Sequence, residues 1–345
     1  MTRETTGALD PEVAAFYAGK KFDYRAATVE EMRRNADIAF NDSVERAAIF
    51  HTEKLSIPGP GGPLPLRLYQ PRPGEHLPVL LYFHGGGFLM HNLASHDSLC
   101  RMLAREGDCL VLSVGYRLAP EAPYPAAVED AWAALKWTAG NIQRFHGDPN
   151  CILAGGDSAG ANLSAALALL ARDQDGGHGR NQDCSQKQDR ETQPDAVSWP
   201  RLSGLLLFYG TYGCLTPEES PSAQAFGGGD YVLPRPMLTL CEELYTPSST
   251  APEDPYRYPG RARDLSGLPP ALCVTAEFDP LRDDGEAFAR RLRESGNQVL
   301  SLRVSGMMHG FLLYWYRFAR VQRVLRTAGR MIRRCALGKE PISGI

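Results

Sequence analysis

Residues 151–160 read CILAGGDSAG, and the run ANLSAALALLAR follows directly at 161–172. An apolar stretch that closes on two glycines and hands over to a long run of good helix formers is a strand–turn–helix unit. At its turn, Gly156-Asp157-Ser158-Ala159-Gly160 spells G-x-S-x-G. The small flanking residues permit a turn sharp enough to push the Ser158 hydroxyl out above a sheet. On an arbitrary loop the five letters would carry little. Between a strand and a helix they point to a serine nucleophile, with a helix start that favours negative charge beside it.

The neighbouring sequence continues that unit. Val79–Phe83, Cys109–Val114, Leu205–Tyr209, Ala271–Ala276 and Val299–Val304 read as further strands. HTEKLSIPG (51–59) and LPLRLYQP (64–71) are two shorter ones around a Pro/Gly turn. A helix is expected from Pro125 through AAVEDAWAALKWTAGN, and FARVQRVLRTAGRMIRRCAL (318–337) closes the chain as an amphipathic helix. Strands alternating with helices predict an α/β protein with a mostly parallel sheet of about eight strands, covered on both faces. Residues 46–345 form the expected main domain. Two insertions break its rhythm: a polar stretch at 173–201, expected to be disordered, and a Pro/Gly-rich stretch at 212–264, expected to contribute to a cap. Residues 1–45 read as a helical cap segment, with Val29, Met32 and Ala36 on one side of a helix.

A serine hydroxyl needs a base to take its proton. In this kind of fold the acid and the histidine follow the serine in the chain. Of eight histidines only His178 and His309 do so, and His178 sits in the polar insertion. His309, in SGMMHGF between a strand and the last helix, is the expected base. The carboxylate that orients it should also follow a strand. ALCVTAEFDPLRDD offers Asp279, with Glu277 as second choice and Asp283 and Asp284 as first-turn acids of the next helix.

Upstream, Val79–Phe83 runs into His84-Gly85-Gly86-Gly87-Phe88. Three successive glycines cost conformational entropy and need a reason. Backbone N–H groups aimed at the oxyanion of a tetrahedral intermediate supply one, with the Ala159 N–H as a further donor. A plain flexible turn is the competing account.

HGGG (84–87), YRLAPE (116–121), YPAAVEDAW (124–132), GDSAG (156–160), DPLRD (279–283) and HGF (309–311) occur in this order. Together they resemble the hormone-sensitive-lipase-like group of α/β-hydrolases, also called bacterial esterase family IV, and LFYGTYG (207–213) is similar to the acetyl esterases within it. The resemblance implies the α/β-hydrolase fold, hydrolysis of short-chain acyl esters, and no metal or organic cofactor. It places nucleophile, acid and base at Ser158, Asp279 and His309, and oxyanion donors at Gly86, Gly87 and Ala159. It gives His84 a structural role in the loop and Asp157 a bracing role in the turn. An amidase or formamidase on the same fold, or a ligand-binding protein without turnover, are the alternatives.

Other features point elsewhere only weakly. Net charge is −3, with 43% hydrophobic and 22% charged residues, which favours neither a nucleic-acid partner nor a membrane surface. No stretch reaches the roughly 18 apolar residues of a spanning helix, and MTRETTGALDPEV lacks the apolar core of a secretory signal. Eight scattered cysteines without C-x-x-C read as buried thiols of a reducing, cytoplasmic setting. His91, His96 and Asp97 make a weak metal set and are expected to fix the loop and helix after the glycines. The arginines of the last helix are expected to face water. Phe88, Leu89, Tyr209, Tyr212 and Phe311 flank the centre in sequence and are candidates for substrate contact. A small-molecule ester is the expected partner, bound by a monomer or homodimer.

Overall fold

The computed structural model describes residues 7–18, 28–41, 45–180 and 200–339. Its strands are β1 (His51–Gly59), β2 (Gly62–Gln70), β3 (Leu77–Phe83), β4 (Leu110–Val114), β5 (Gly147–Asp157), β6 (Gly204–Phe208), β7 (Ala271–Phe278) and β8 (Val299–Met308). Helices α1 (Pro11–Tyr17) and α2 (Val29–Asn41) precede the sheet. Helices α3 (Asp97–Gly107), α4 (Ala126–Asn141) and α5 (Ala159–Arg180) lie between β3 and β6 in the chain. Then come α6 (Pro221–Phe226), α7 (Arg235–Tyr245), α8 (Arg282–Glu294) and α9 (Ala319–Ala336).

β3 is buried along its whole length, and its side chains divide between two separate cores. Val79, Leu81 and Phe83 enter one with Ala127, Ala131 and Leu135 of α4, Leu163 and Leu167 of α5, and Phe288 of α8. Leu80 and Tyr82 enter the other with Leu99 and Leu103 of α3 and Val321, Leu325, Ala328 and Ile332 of α9. Strand side chains alternate between faces, so an unbroken apolar strand is what a sheet covered on both sides requires. The strand order is β1-β2-β4-β3-β5-β6-β7-β8. β1 and β2 are antiparallel to their neighbours and the six strands from β4 to β8 in that order run parallel. The α/β architecture and the eight strands match the sequence expectation.

Of the boundaries that differ from that expectation, two matter most here. β8 continues past Val304 to Met308, because a bulge carries the strand on. Ala276 pairs with Val304 and Phe278 with Met308, Gly306 takes φ +74°, and its amide donates to Glu277 Oε2 at 2.8 Å. His309 therefore follows the strand directly rather than sitting in a loop. Helix α5 runs to Arg180, so the first eight residues of the stretch read as disordered are helical. Extending a formed helix gains one hydrogen bond per residue without a new nucleus. Residues 181–199 of that stretch lie outside the described residues.

The polar and cysteine readings fit the packing. Val321, Leu325, Ala328 and Ile332 of α9 are buried, as is Phe318 before it. Seven described cysteines are free thiols, with Cys109, Cys151 and Cys273 buried. Among the described residues no helix is long and apolar enough to cross a membrane.

The tightest joint in the fold is between β3 and the turn after β5. A Cβ placed on Gly160 would lie 1.9 Å from the Phe83 carbonyl oxygen, and one on Gly156 would lie 2.4 Å from the same atom. Neither neighbour is a side chain that can swing away. Gly160→Ala is expected to destabilise the fold by about 3 kcal/mol or more, at the upper end of overpacking effects. Chemical denaturation of the purified variant measures this, and a loss below about 1 kcal/mol would contradict the packing described.

Candidate active site

Four strand ends build the site. β3 ends at Phe83 and β5 at Asp157, while β7 ends at Phe278 and β8 at Met308. The residues that follow them are His84-Gly85-Gly86-Gly87, Ser158, Asp279 and His309. All lie at the carboxyl edge of the parallel sheet, where crevices form in such folds.

Ser158 stands in the left-handed region at φ +54°, and its amide donates to the Phe208 carbonyl at 2.9 Å. His309 Nε2 lies 3.0 Å from Ser158 Oγ, and His309 Nδ1 lies 2.7 Å from Asp279 Oδ2. A carboxylate only accepts, so Nδ1 carries the imidazole proton and Nε2 is free to accept from the serine hydroxyl. Asp279 is fully buried, and its other oxygen accepts the Leu281 amide at 2.9 Å. The imidazole is thus held in one tautomer and one orientation. The edge of the Tyr209 ring, 4.9 Å away, packs against it.

Glu277, the alternative carboxylate, is committed elsewhere. It accepts the Gly306 amide and the Gly7 amide, each at 2.8 Å, and ties the bulge of β8 to the N-terminal segment. Asp284 accepts from the amides of Tyr212, Gly213 and Leu215, fixing the loop after β6, and Asp283 accepts from Ser222. Both are first-turn residues of α8.

The glycine loop is rigidly held. The Gly85 amide donates to Asp157 Oδ1 at 3.0 Å, and Leu89 and Met90 both donate to the Gly86 carbonyl at 3.0 Å. Gly86 and Gly87 have φ of +114° and +62°, and a Cβ on Gly86 would lie 2.2 Å from the Met90 carbonyl oxygen. Only glycine fits there. Among the described residues none accepts a hydrogen bond from the amides of Gly86, Gly87 or Ala159. All three residues line one cavity with Ser158 and His309.

Beneath the loop lies a buried polar cluster. Asp157 Oδ1 also accepts from the Tyr82 hydroxyl at 2.7 Å and lies 3.1 Å from His96 Nε2. Burial opposes the charge on Asp157, but His96 and the Tyr82 hydroxyl outweigh it and hold the pKa down at about 2. His84 donates from Nδ1 to the Gly85 carbonyl at 2.8 Å, accepts the Tyr116 hydroxyl on its own carbonyl at 2.7 Å, and stacks on the Tyr116 ring. Asp97 engages Arg67, Arg101 and the Tyr69 hydroxyl. These are the structural tasks expected of His84, Asp157, His96 and Asp97.

The cavity encloses about 680 Å³. Of the five residues expected to contact substrate, Phe88 lines it. Leu89 is buried behind the loop, Tyr209 behind His309, Tyr212 against Phe288, and Phe311 against Tyr209. Nearness in sequence to the motifs placed these four in the core beneath the site, not in its wall. The wall comes instead from Met32 and Ala36 of α2, Met90, Met237 and Cys241 of α7, Arg257 and Leu313. Met32 and Ala36 pack with Met90 and Met237. The apolar side of α2 was readable in the sequence; its facing partner was not.

A family model described as alpha/beta hydrolase fold matches residues 80–313. The chain belongs to the α/β-hydrolase family. Its HGGG and GDSAG motifs put it in the hormone-sensitive-lipase-like group. It is similar to a carboxylic ester hydrolase, LipN, of Mycobacterium tuberculosis (strain ATCC 25618 / H37Rv), at 41% identity over 259 residues, 75% of this chain. The match spans 63% of the length of that relative. An acetyl esterase of Salmonella schwarzengrund (strain CVM19633) is 32% identical over 264 residues, covering 76% of this chain and 74% of the relative. Among solved structures, a hyperthermophilic esterase from the archaeon Pyrobaculum calidifontis superimposes with a TM-score of 0.82 at 32% identity, over 96% of this chain and 99% of that one.

The histidine cluster of this α/β-hydrolase makes acid stability predictable. Burial, then the neighbouring His96, pulls His84 down to about 4 and His91 down to about 3. In the unfolded chain each imidazole takes its proton near the ordinary value of roughly 6.5. Between about pH 6 and pH 4 the unfolded state therefore binds more protons, and stability falls as pH falls. The slope is about 1.4 kcal/mol per pH unit for each histidine. Asp157 works in a lower window: its stabilisation holds above about pH 4 and is lost as pH falls through about 2. Denaturation curves at stepped pH should show the histidine slope, and His84→Gln should remove about half of it. An unchanged slope in that variant would contradict a neutral buried His84.

Proposed function

We propose that this carboxylic ester hydrolase cleaves short-chain acyl esters, acetyl-like in size, through an acyl-enzyme on Ser158. The single observation behind this reading is the Ser158–His309–Asp279 relay, set in the same cavity as three unengaged amides. Ser158 Oγ attacks the ester carbonyl while His309 Nε2 takes its proton. The negative oxygen is received by the amides of Gly86, Gly87 and Ala159, and each such donor is worth about 3–4 kcal/mol in the transition state. His309 then gives the proton to the departing alcohol. Water enters, loses a proton to His309, and its oxygen attacks the acyl carbonyl; collapse returns the proton to Ser158 and releases the acid. Asp279 keeps the imidazole oriented and stabilises it while charged, without taking a proton itself.

The short-acyl assignment draws on the similarity to acetyl esterases. A cavity of about 680 Å³ leaves most of its volume to the alcohol portion. Residues 1–45 and 212–264 serve as the cap in this reading. Met32 of α2 packs near Met237 of α7, and Arg33 donates to the carbonyls of Leu89 at 2.7 Å and Ala119 at 2.8 Å. These contacts fasten the N-terminal helix to the rim of the glycine loop. The setting we assign is cytoplasmic, in line with the free thiols, and the working unit a monomer or homodimer.

Hydrolysis of p-nitrophenyl esters from acetate to dodecanoate tests the reading, with Ser158→Ala alongside. Activity should peak at the short acyl chains. The variant should keep its circular dichroism spectrum and lose kcat by on the order of a millionfold. Wild-type-like turnover by the variant would remove the serine mechanism. A peak at long chains would remove the short-acyl assignment, and turnover of matched amides but not esters would remove the ester assignment.

A further inference from the structure

We propose that Tyr245, on helix α7, is a positioning residue that holds the oxyanion loop in its working shape through Phe88. The inference rests on reading the Gly86 and Gly87 amides as oxyanion donors.

Phe88 is a non-glycine residue at φ +63°, immediately after the two donor positions. A bulky residue keeps that backbone conformation only when its surroundings enforce it. Two contacts do so. The Phe88 carbonyl accepts the Ala119 amide at 2.9 Å, and the Phe88 ring lies flat on the ring of Tyr245, with centroids 3.7 Å apart and planes within 5°. Face-to-face rings gain little from their own quadrupoles. Here the Arg257 guanidinium adds a positive charge, 5.0 Å from the Tyr245 ring centre and 5.8 Å from that of Phe88. Arg257 pairs in turn with Glu242, on the same helix as Tyr245.

One turn earlier on α7, Cys241 presses on Gly87: a Cβ on that glycine would lie 2.3 Å from the thiol sulfur. Helix α7 therefore touches both Gly87 and Phe88. The Tyr245 backbone is itself anchored, since its carbonyl accepts the Tyr124 amide at 2.8 Å. Tyr245 is 1% exposed and does not line the cavity, whereas Phe88 and Cys241 do. A change at Tyr245 leaves direct substrate contacts in place and reaches the reaction through the loop. The wall of the cavity and the alignment of the donors are thus one mechanical unit.

The test uses the full chain with Tyr245→Leu, Tyr245→Phe and Cys241→Ala. It measures kcat and KM on p-nitrophenyl butyrate, and inhibition by a trifluoromethyl ketone that forms an oxyanion on addition of a serine hydroxyl. Tyr245→Leu should lower kcat roughly ten- to a hundredfold, the scale of a small misplacement of reacting groups, with KM changing by less than about threefold. Ketone affinity should fall by the same factor as kcat. Tyr245→Phe keeps the ring and should restore both, and Cys241→Ala should lower both in the same direction. If the leucine variant does not fold, Cys241→Ala decides: kcat and ketone affinity both unchanged would overturn the proposal. So would a rise in KM alone for Tyr245→Leu, or a phenylalanine variant as impaired as leucine. A wild-type enzyme that hydrolyses the ester yet ignores the ketone would overturn the oxyanion reading itself, and this inference with it.

Discussion

A single buried carboxylate ties the turn that carries Ser158 to the glycine loop. Asp157 is the last residue of β5, and its side chain accepts the Gly85 amide and the Tyr82 hydroxyl while His96 stands 3.1 Å away. A charge so deeply buried is costly unless its lone pairs are filled. Filling them fixes two backbone segments against each other: the turn that presents Ser158 and the loop that presents Gly86 and Gly87. The Gly85 amide is consumed in this joint, and the next two residues, Gly86 and Gly87, line the cavity. One interaction, between residues adjacent to Ser158 and to Gly86, therefore fixes those two segments relative to each other.

The sheet supplies the rest of the precision. β3 and β5 are adjacent, and Gly160 and Gly156 allow α5 to start almost in contact with the Phe83 carbonyl. Any side chain there would push Ser158 away from the glycine loop. Two strands further along, β7 and β8 deliver Asp279 and His309 as the first residues beyond their ends. Strand ends in a twisted, close-packed sheet move little, so distances of 2.7 and 3.0 Å within the relay are fixed before any substrate arrives. Prior alignment of this kind is what, in general, lets donors and a base act without paying reorganisation during a reaction.

What the sequence revealed and what it hid divides along the same line. The turns at the carboxyl edge of the sheet were legible because each carries a local signature: an apolar run, then Gly-Asp-Ser-Ala-Gly, His-Gly-Gly-Gly, Asp-Pro or His-Gly. The preference for Asp279 over Glu277 rests on the Pro280 that follows it, and the structure sets Asp279 at 2.7 Å from His309 Nδ1 while Glu277 accepts backbone amides. The cavity wall was not legible. Leu89, Tyr209, Tyr212 and Phe311 are close in sequence to the motifs but point into packed cores, while Met32, Met237, Cys241 and Arg257 come from segments tens to hundreds of residues away. Local pattern reports which face of an element is apolar; it does not report which distant element meets that face. The strand that ran on through the Gly306 bulge was hidden for a related reason, because its continuation depends on Glu277 in the neighbouring strand reaching across to the bulge amide.

This division assigns different freedoms to different parts of the molecule. The relay and the glycine loop rest on backbone contacts and a satisfied buried charge, where a substitution meets atoms that cannot yield. The wall includes Met32, Met90 and Met237, whose unbranched thioethers repack around varied apolar shapes. The relay and the loop thus sit on rigid backbone, while the wall of the same cavity is drawn from α2 and α7. The exception is where α7 meets Gly87 and Phe88. There the adaptable wall touches the rigid loop, so a change that reshapes α7 would also press on Gly87 and Phe88.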